Sequence, residues 1–223
     1  MTANTPTILC PLRMEAAKVR PVARRRGWTL VTTGIGATAV TSAVEAAADT
    51  GPLVLAGVAG ALQPDLKPGT AHLVHEVYDE AGIIASPLLT SGLRVTGADE
   101  IVATPDDKAA LSGRTGAHLV DMESHAFAAA ANRLGRPWVI VRGVSDGVEH
   151  HLPPGCDRWF TPDGRLLLRL AARDLAGRPR DLLHLIAFGR RTAAAMRAVA
   201  RLLDCTLAAG ADDRLKTSGY AAP

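Results

Sequence analysis

Residues 119–146 read LVDMESHAFAAAANRLGRPWVIVRGVSD, and this stretch decides the class of fold. Leu119–Met122 has the composition of a short β-strand, and the alanine-rich run Glu123–Leu134 that of a helix. After the turn at Gly135, Trp138–Val144 is apolar at nearly every position and reads as a buried strand. A strand, a helix and a second strand joined by short turns predict an α/β protein with a covered sheet.

The same alternation extends toward the N-terminus. Apolar, β-rich runs recur there, each closed by glycine, proline or polar residues. The predicted strands are Thr7–Leu12, Trp28–Thr33, Leu53–Ala56 and Ala71–Tyr78, and the predicted helices are Ala37–Ala48 and Asp106–Ser112, the latter with Thr104 near its N-cap. We therefore expect one α/β domain over residues 1–223, whose last part, residues 165–203, is a basic helical region.

Length and composition fit a globular protein with one sizeable core. The chain has 223 residues, of which 48% are hydrophobic and 21% charged. Its three cysteines are widely spaced and form no CxxC pattern, which favours a reducing cytoplasm over a disulfide framework or a zinc site. The start MTANTPTIL has no signal-peptide pattern, and no apolar run reaches about 18 residues. We expect no secretion signal and no membrane span.

Three acidic residues stand where strands end, which is where α/β proteins place ligands. Glu123 follows one strand and could accept hydrogen bonds from the vicinal diol of a ribose. Asp146, just past Trp138–Val144, could act as a general acid, and Glu15 follows the first strand. The spacing is equally typical of acids that begin helices or cap turns, so the residues by themselves leave both interpretations open.

Two glycine-rich segments, Gly34-Ile35-Gly36 and Gly57-Val58-Ala59-Gly60, predict turns that allow a ligand close to the backbone. Neither has the spacing of a dinucleotide-binding GxGxxG motif or the lysine of a Walker loop. No GxSxG elbow or Cys/His motif occurs, which excludes the common acyl-transfer patterns. The adjacent pair His150-His151 lacks a usual metal-ligand spacing, so we predict no metal.

Four blocks occur in an order that resembles the nucleoside phosphorylase / nucleosidase superfamily. They are ILCPL at 8–12 with Glu15, Gly34-Ile35-Gly36, GVAGAL at 57–62 with LKPG at 66–69, and Asp121-Met122-Glu123 with VRGVSD at 141–146. The chain is most similar to the hopanoid-associated phosphorylase subfamily. The residues that carry this closer likeness are Thr115-Gly116-Ala117, DMESH at 121–125, Leu152-Pro153-Pro154, PDGR at 162–165 and Arg178-Pro179.

The resemblance implies a nucleoside phosphorylase-like fold, in which helices flank a mixed twisted sheet, and removal of adenine from adenosylhopane in bacterial hopanoid synthesis. Asp146 would protonate or hydrogen-bond purine N7, Glu123 would hold the ribose hydroxyls, and Met122 would pack against the sugar. The acid matching Glu15 activates water in hydrolytic members. The remaining expected site residues are Val58, Ala59 and Gly60 along the base, Ser145 on the substrate side, and Gly34 and Gly36 on the phosphate or water side.

The chain departs from the superfamily pattern in two places. Val58 stands where many relatives have a hydroxyl near phosphate or the nucleophile, and Asp107 or Lys108 falls near the base-packing aromatic of nucleosidases. Two reactions stay open: transfer of the glycosyl group to phosphate, and hydrolysis. Two other functions also stay open: a methylthioadenosine/adenosylhomocysteine- or futalosine-type nucleosidase, and a non-catalytic nucleoside- or lipid-binding protein. No cofactor is expected beyond inorganic phosphate as a co-substrate, no nucleic acid is expected as a partner, and the likeness implies a homo-oligomer, most simply a dimer.

Positive charge is concentrated near the C-terminus. Residues 165–201 contain nine arginines and two acids, a net charge of +7, while the chain as a whole carries +3. Asp181–Leu203 reads as one amphipathic helix with Leu182, Leu185, Ile186, Ala193, Met196 and Leu203 on one side. One interpretation is a helix packed on the domain with a solvated arginine face. The other is reversible contact with anionic lipid at the inner membrane surface, where a lipid-linked nucleoside would be met.

Overall fold

The computed structural model describes residues 5–47, 51–153, 155–175 and 179–207, and the side chains of Asp157 and of residues 175–184 are not described. The described residues form eight strands, six α-helices and one 3₁₀ turn. The strands are β1 (Thr7–Cys10), β2 (Thr29–Thr32), β3 (Leu53–Ala61), β4 (Ala71–Asp79), β5 (Gly82–Ala85), β6 (Leu93–Gly97), β7 (Leu119–Asp121) and β8 (Trp138–Asp146). The helices are α1 (Arg13–Arg26), α2 (Ala37–Ala46), α3 (Pro105–Thr115), α4 (Ser124–Arg133), α5 (Leu168–Leu175) and α6 (Pro179–Leu207), with a 3₁₀ turn at Cys156–Trp159.

The eight strands form one mixed sheet that closes on itself over five of them. Strand β3 pairs with β8 in parallel and with β7 in the antiparallel sense, while β8 and β4 are antiparallel. Strand β6 pairs in parallel with both β4 and β7, which completes the ring β3–β8–β4–β6–β7. Strands β1 and β2 continue outward from β3 in parallel, and β5 forms a hairpin with β4. The predicted mixed α/β fold is confirmed.

Helices cover both sides of the sheet because each presents one apolar face. Val40 and Val44 of α2 and Phe127 of α4 are fully buried in one core cluster. On the other side, Val19 of α1 and Met196 of α6 belong to a second buried cluster. Two separate cores around one sheet explain why its central strands are apolar without alternation.

The strand boundaries correct two expectations. Gly57-Val58-Ala59-Gly60 is not a turn, because β3 runs through it to Ala61 in register with β8. A Cβ added to Gly57 would collide with the guanidinium of Arg142, so this glycine makes room for a side chain rather than bending the chain. Asp146 is the last residue of β8 and does not lie beyond the strand. The turn at Gly34–Gly36 is confirmed, with φ of +92° and +88° at its two glycines.

Helix α6 is longer than expected and its apolar stripe is buried only in part. Met196 and Leu203 are buried in the second core cluster, whereas Ile186 is 47% exposed. Leu182 was also expected on this stripe, but its side chain lies outside the described part of the structure. Arg190, Arg197 and Arg201 are exposed. Within the described residues, no helix is both long and apolar enough to cross a membrane.

Candidate active site

A cavity of about 210 Å³ opens where β1, β3, β7 and β8 come together. The expected catalytic and substrate-binding residues all line it: Glu15, Val58, Ala59, Gly60, Met122, Glu123, Ser145 and Asp146. Gly34 and Gly36 flank Ile35, which also lines the cavity. The structure therefore gathers at one place the residues that the sequence distributes over four separate blocks.

Glu15 lies in the first turn of α1, just after β1, and is 2% exposed. Its Oε2 accepts the backbone N–H of Leu12 at 2.9 Å, and its Oε1 accepts that of Val58 at 2.8 Å. Burial raises the pKa of Glu15 to about 7, although Arg142 and the two backbone N–H groups oppose the shift. A carboxyl that titrates near neutral pH can take a proton from a weakly acidic partner such as water.

Glu123 begins α4 and connects it to the glycine turn. Its Oε1 accepts the backbone N–H of Gly36 at 3.0 Å, so the turn at Gly34–Gly36 is held against the acid. Burial raises the pKa of Glu123 and so does the neighbouring Asp121, while Arg142 lowers it. Asp121 accepts the backbone N–H groups of Glu123 and Ser124 and so stabilises the start of α4.

Arg142 is a site residue that the sequence interpretation missed. It points from the middle of β8 toward the acids and is 0% exposed. Its Nε lies 2.7 Å from Oδ2 of Asp121, and its Nη2 lies 3.4 Å from Oε2 of Glu123. Its Nη1 adjoins Gly57 and Glu15. Burial opposes the charge, but the three carboxylates outweigh it and raise the pKa of Arg142. The sequence signal that could have indicated this role is the charged Arg142 inside the otherwise apolar strand sequence WVIVRGV.

Lys108 was expected only as a departure near the base-packing aromatic of nucleosidases, and the structure places it behind Asp146. Its Nζ is 2.5 Å from Oδ2 of Asp146, and both side chains are almost completely buried. Oδ1 of Asp146 accepts the hydroxyl of Ser145 at 2.6 Å. The sequence places Lys108 on an ordinary amphipathic helix, and its distance of 38 residues from Asp146 gives no sign of the pair.

The cavity wall combines apolar and acidic side chains. Its charged members are Glu15, Glu100, Asp121, Glu123 and Asp146, all of them acidic. Its large apolar members are Leu12, Ile35, Ile101, Leu152, Phe160 and Phe188. Arg142 and Lys108 stand behind the acids and do not line the cavity. Such a wall suits a ligand that is apolar, rich in hydroxyls and positively charged as it reacts.

Among the described residues, no group of three or more His, Cys, Asp or Glu side chains is arranged to hold a metal ion. His150 places its Nε2 2.7 Å from Nη1 of Arg191. Burial and then Arg191 lower the pKa of His150.

One family model and several solved structures of similar fold match the chain. Residues 89–158 match the family model of the phosphorylase superfamily, and this match includes Asp121–Asp146. No curated protein matches the chain. Futalosine hydrolase of Helicobacter pylori is similar in structure, with a TM-score of 0.66, 15% identity, and coverage of 92% of this chain and 98% of that one.

Two further similar structures are nucleosidases. The 5′-methylthioadenosine/S-adenosylhomocysteine nucleosidase of S. pneumoniae, solved with a transition-state inhibitor, has a TM-score of 0.62 and 18% identity over 90% of this chain and 96% of that one. The corresponding enzyme of Colwellia psychrerythraea, solved with adenine, has a TM-score of 0.63 and 16% identity over 91% and 94%. The chain thus has the fold of these nucleosidases, and its central residues 89–158 match the phosphorylase superfamily.

Proposed function

We propose that the protein is an enzyme that hydrolyses the N-glycosidic bond of a purine nucleoside. The observation that carries this proposal is the convergence of Glu15, Glu123 and Asp146 on one apolar cavity. Cleavage of this bond gives the sugar oxocarbenium character, which carboxylates stabilise. Simple binding of a neutral nucleoside would not require three buried acids, because burying each of them costs free energy.

The sugar is placed between Glu123 and Met122. Oε1 of Glu123 already accepts the N–H of Gly36, and its Oε2 remains for the ribose hydroxyls alongside the more distant Arg142. Met122 lines the cavity next to it and provides a polarisable apolar surface for the sugar ring. The same arrangement places the electron-poor anomeric carbon close to negative charge.

Glu15 is the base that activates water. Water attacks C1′ and gives one proton to the Glu15 carboxylate. The purine leaves with both electrons of the C1′–N9 bond and takes a proton at N7. As the bond breaks, Asp146 relays this proton to N7 from the ammonium of Lys108, to which it is hydrogen-bonded.

Hydrolysis fits the cavity better than phosphorolysis. Phosphate carries negative charge at neutral pH, and the charged side chains that line the cavity are acidic. The buried guanidinium of Arg142 is already surrounded by three carboxylates, and Val58 offers no hydroxyl. In a phosphorylase, by contrast, one expects basic groups that face the anion.

The 5′ substituent of the substrate is apolar. Phe160, Phe188, Ile101 and Leu152 contribute large apolar side chains to the wall, against which a hydrocarbon or thioether group would bury its surface. Adenosylhopane, the substrate class suggested by the sequence resemblance, has such a substituent, and its large ring system would extend through the open side of the cavity. Methylthioadenosine is the smaller alternative that the same wall accommodates.

The test is release of free base from purified protein. Adenosylhopane, methylthioadenosine, adenosylhomocysteine, futalosine and adenosine are each incubated with and without phosphate, and base and sugar products are separated. We expect adenine and a free sugar, most rapidly from a substrate with an apolar 5′ group and independently of phosphate. A phosphorylated sugar would overturn hydrolysis. Binding of every nucleoside without release of base would overturn the enzymatic proposal in favour of a binding protein.

A further inference from the structure

The ammonium group of Lys108 occupies a site with three acceptors. Its Nζ donates to Oδ2 of Asp146 at 2.5 Å, to the carbonyl of Gly147 at 2.7 Å and to the carbonyl of His150 at 3.2 Å. An ammonium has three N–H donors, so each has an acceptor. Lys108 is 1% exposed and lies on α3, one turn after the N-cap residue Thr104, whose hydroxyl accepts the N–H of Asp107 at 3.2 Å.

We infer that Lys108 is a positioning residue that selects purines with an amino group at C6, by presenting Asp146 to the base as a hydrogen-bond acceptor. The inference rests on the proposed function, in which Asp146 meets the N7 side of the purine. Nζ of Lys108 donates to Oδ2 of Asp146, and the hydroxyl of Ser145 donates to Oδ1, so both carboxylate oxygens act as acceptors. The face of Asp146 toward the cavity therefore offers lone pairs and no proton.

The two classes of purine differ at this edge. A 6-aminopurine presents an N–H donor beside the N7 acceptor, whereas a 6-oxopurine presents two acceptors, O6 and N7. A carboxylate can accept from the amino group but meets only lone pairs on the 6-oxopurine. In a buried site an unmatched acceptor pair is costly, since no water replaces the missing donor. The Lys108–Asp146 pair thereby rejects inosine-type substrates before the bond is broken.

Removing the ammonium should weaken this preference. In Lys108→Met the carboxyl of Asp146 would be left buried without a cation, and a buried carboxyl in that situation is stabilised by taking up a proton. A neutral carboxyl can donate to O6 or N7. Asp146→Asn should also shift selectivity toward 6-oxopurines, because the amide nitrogen of Asn is a hydrogen-bond donor. Lys108→Met therefore supplies a donor by protonating the carboxyl, and Asp146→Asn supplies one by replacing it with an amide.

A purely structural role for Lys108 would give a different result. Lys108 also fastens the segment Gly147–His150 to α3, and loss of that contact would lower stability and activity for all substrates alike. The ratio of kcat/KM for two nucleosides with the same sugar and different bases is unaffected by a uniform loss. This ratio therefore separates recognition of the base from folding.

The experiment measures kcat/KM for matched 6-amino and 6-oxo nucleosides with the best 5′ group, in wild type, Lys108→Met, Asp146→Asn and Lys18→Met. Lys18 is an exposed lysine on α1 and receives the same chemical change. We expect the 6-amino over 6-oxo ratio to fall at least about tenfold in Lys108→Met and to remain unchanged in Lys18→Met.

An unchanged ratio in Lys108→Met, with melting showing a folded protein, would overturn the inference while leaving the proposed hydrolysis intact. If Lys108→Met does not fold, Asp146→Asn supplies the ratio, and an unchanged ratio there overturns the inference as well. A wild type that releases no base from any nucleoside would instead refute the proposed function.

Discussion

The backbone N–H of Gly36 donates to Oε1 of Glu123 over 3.0 Å and joins two segments that lie 87 residues apart in the chain. This bond occupies one oxygen of the acid and leaves the other toward the cavity and Arg142. The turn thereby fixes the direction in which Glu123 can engage a sugar.

Glu123→Gln should lower kcat/KM for ribonucleosides by roughly tenfold or more, because charge-assisted bonds to the diol become neutral ones worth ~1–2 kcal/mol less. The loss should be smaller for 2′-deoxy substrates, which lack one hydroxyl. Kinetics on a matched ribo/deoxy pair checks this, and Glu45→Gln, at an exposed salt bridge with Arg133, serves as the control. Equal discrimination by wild type and Glu123→Gln would contradict the diol role.

Activity should fall as the pH drops below about 7, because Glu15 must be ionised to accept a proton from water and its pKa is raised to about 7. The loss of activity on the acidic side is measured as kcat/KM from pH 5 to 9. Glu15→Gln should abolish most turnover at every pH. A wild-type profile that stays flat down to pH 5 would remove Glu15 as the base.

The same group should leave a signature in stability. Its folded pKa lies above the ordinary 4.5, so between these values the folded state binds more protons than the unfolded state, and stability is lost as the pH rises. This loss has a slope of up to ~1.4 kcal/mol per pH unit. Denaturant titrations of wild type and Glu15→Gln from pH 5 to 8 should show that the slope is weaker in the variant. Parallel curves would contradict the raised pKa.

Asp146→Asn should reduce turnover by ~10²–10⁴-fold while the protein stays folded, since the amide cannot pass a proton to N7. Single-turnover release of base measures the effect without interference from product release. Near-normal turnover would exclude Asp146 from the mechanism.

Arg142→Met should be the most destabilising of these changes, costing roughly 3–5 kcal/mol, because it leaves the buried acids Asp121, Glu123 and Glu15 without their cation. Urea unfolding at pH 8 gives the value. The cost should shrink at pH 5, because burial raises the pKa of Glu15 and of Glu123 and their protonation removes negative charge. A cost below about 1 kcal/mol at both pH values would mean that the guanidinium does not balance this cluster.

The basic surface near the C-terminus keeps its proposed role in lipid contact. Leu168 is 70% exposed on α5 beside the exposed Arg165 and Arg169, and Ile186 is 47% exposed on α6. Vesicles containing anionic lipid should retain the protein in a salt-sensitive manner, with up to ~1 kcal/mol from each arginine near the surface. Neutral vesicles should retain little.

The variant for this test changes Arg165, Arg169, Arg190 and Arg197 to Gln and spares Arg191, which contacts His150. Its control changes the exposed Arg20, Arg114 and Arg133, which lie on other helices. Equal co-sedimentation of both variants with wild type would leave only a solvated arginine surface.

Sequence patterns predicted the central strands and the three acids because local apolar runs and short motifs record them directly. They misplaced Gly57–Gly60, since glycine usually indicates a turn and its actual reason is the bulk of Arg142 across the sheet. Lys108 and Arg142 could not be paired with their acids, because burial of a charge depends on contacts between distant segments. The strands Gly82–Ala85 and Leu93–Gly97 were missed because they are short and half-exposed, so neither has a clear apolar pattern.

The ring of strands β3–β8–β4–β6–β7 limits how such a protein can diversify. Each member is paired on both sides, so sliding one strand would break two sets of backbone hydrogen bonds at once. The acids on β7 and β8 are therefore fixed relative to the cavity, whatever occupies it. Mutational drift toward a new substrate is expected in the connections that carry Ile101, Leu152 and Phe160, which lie outside the ring and can change length without disturbing the spacing of the acids.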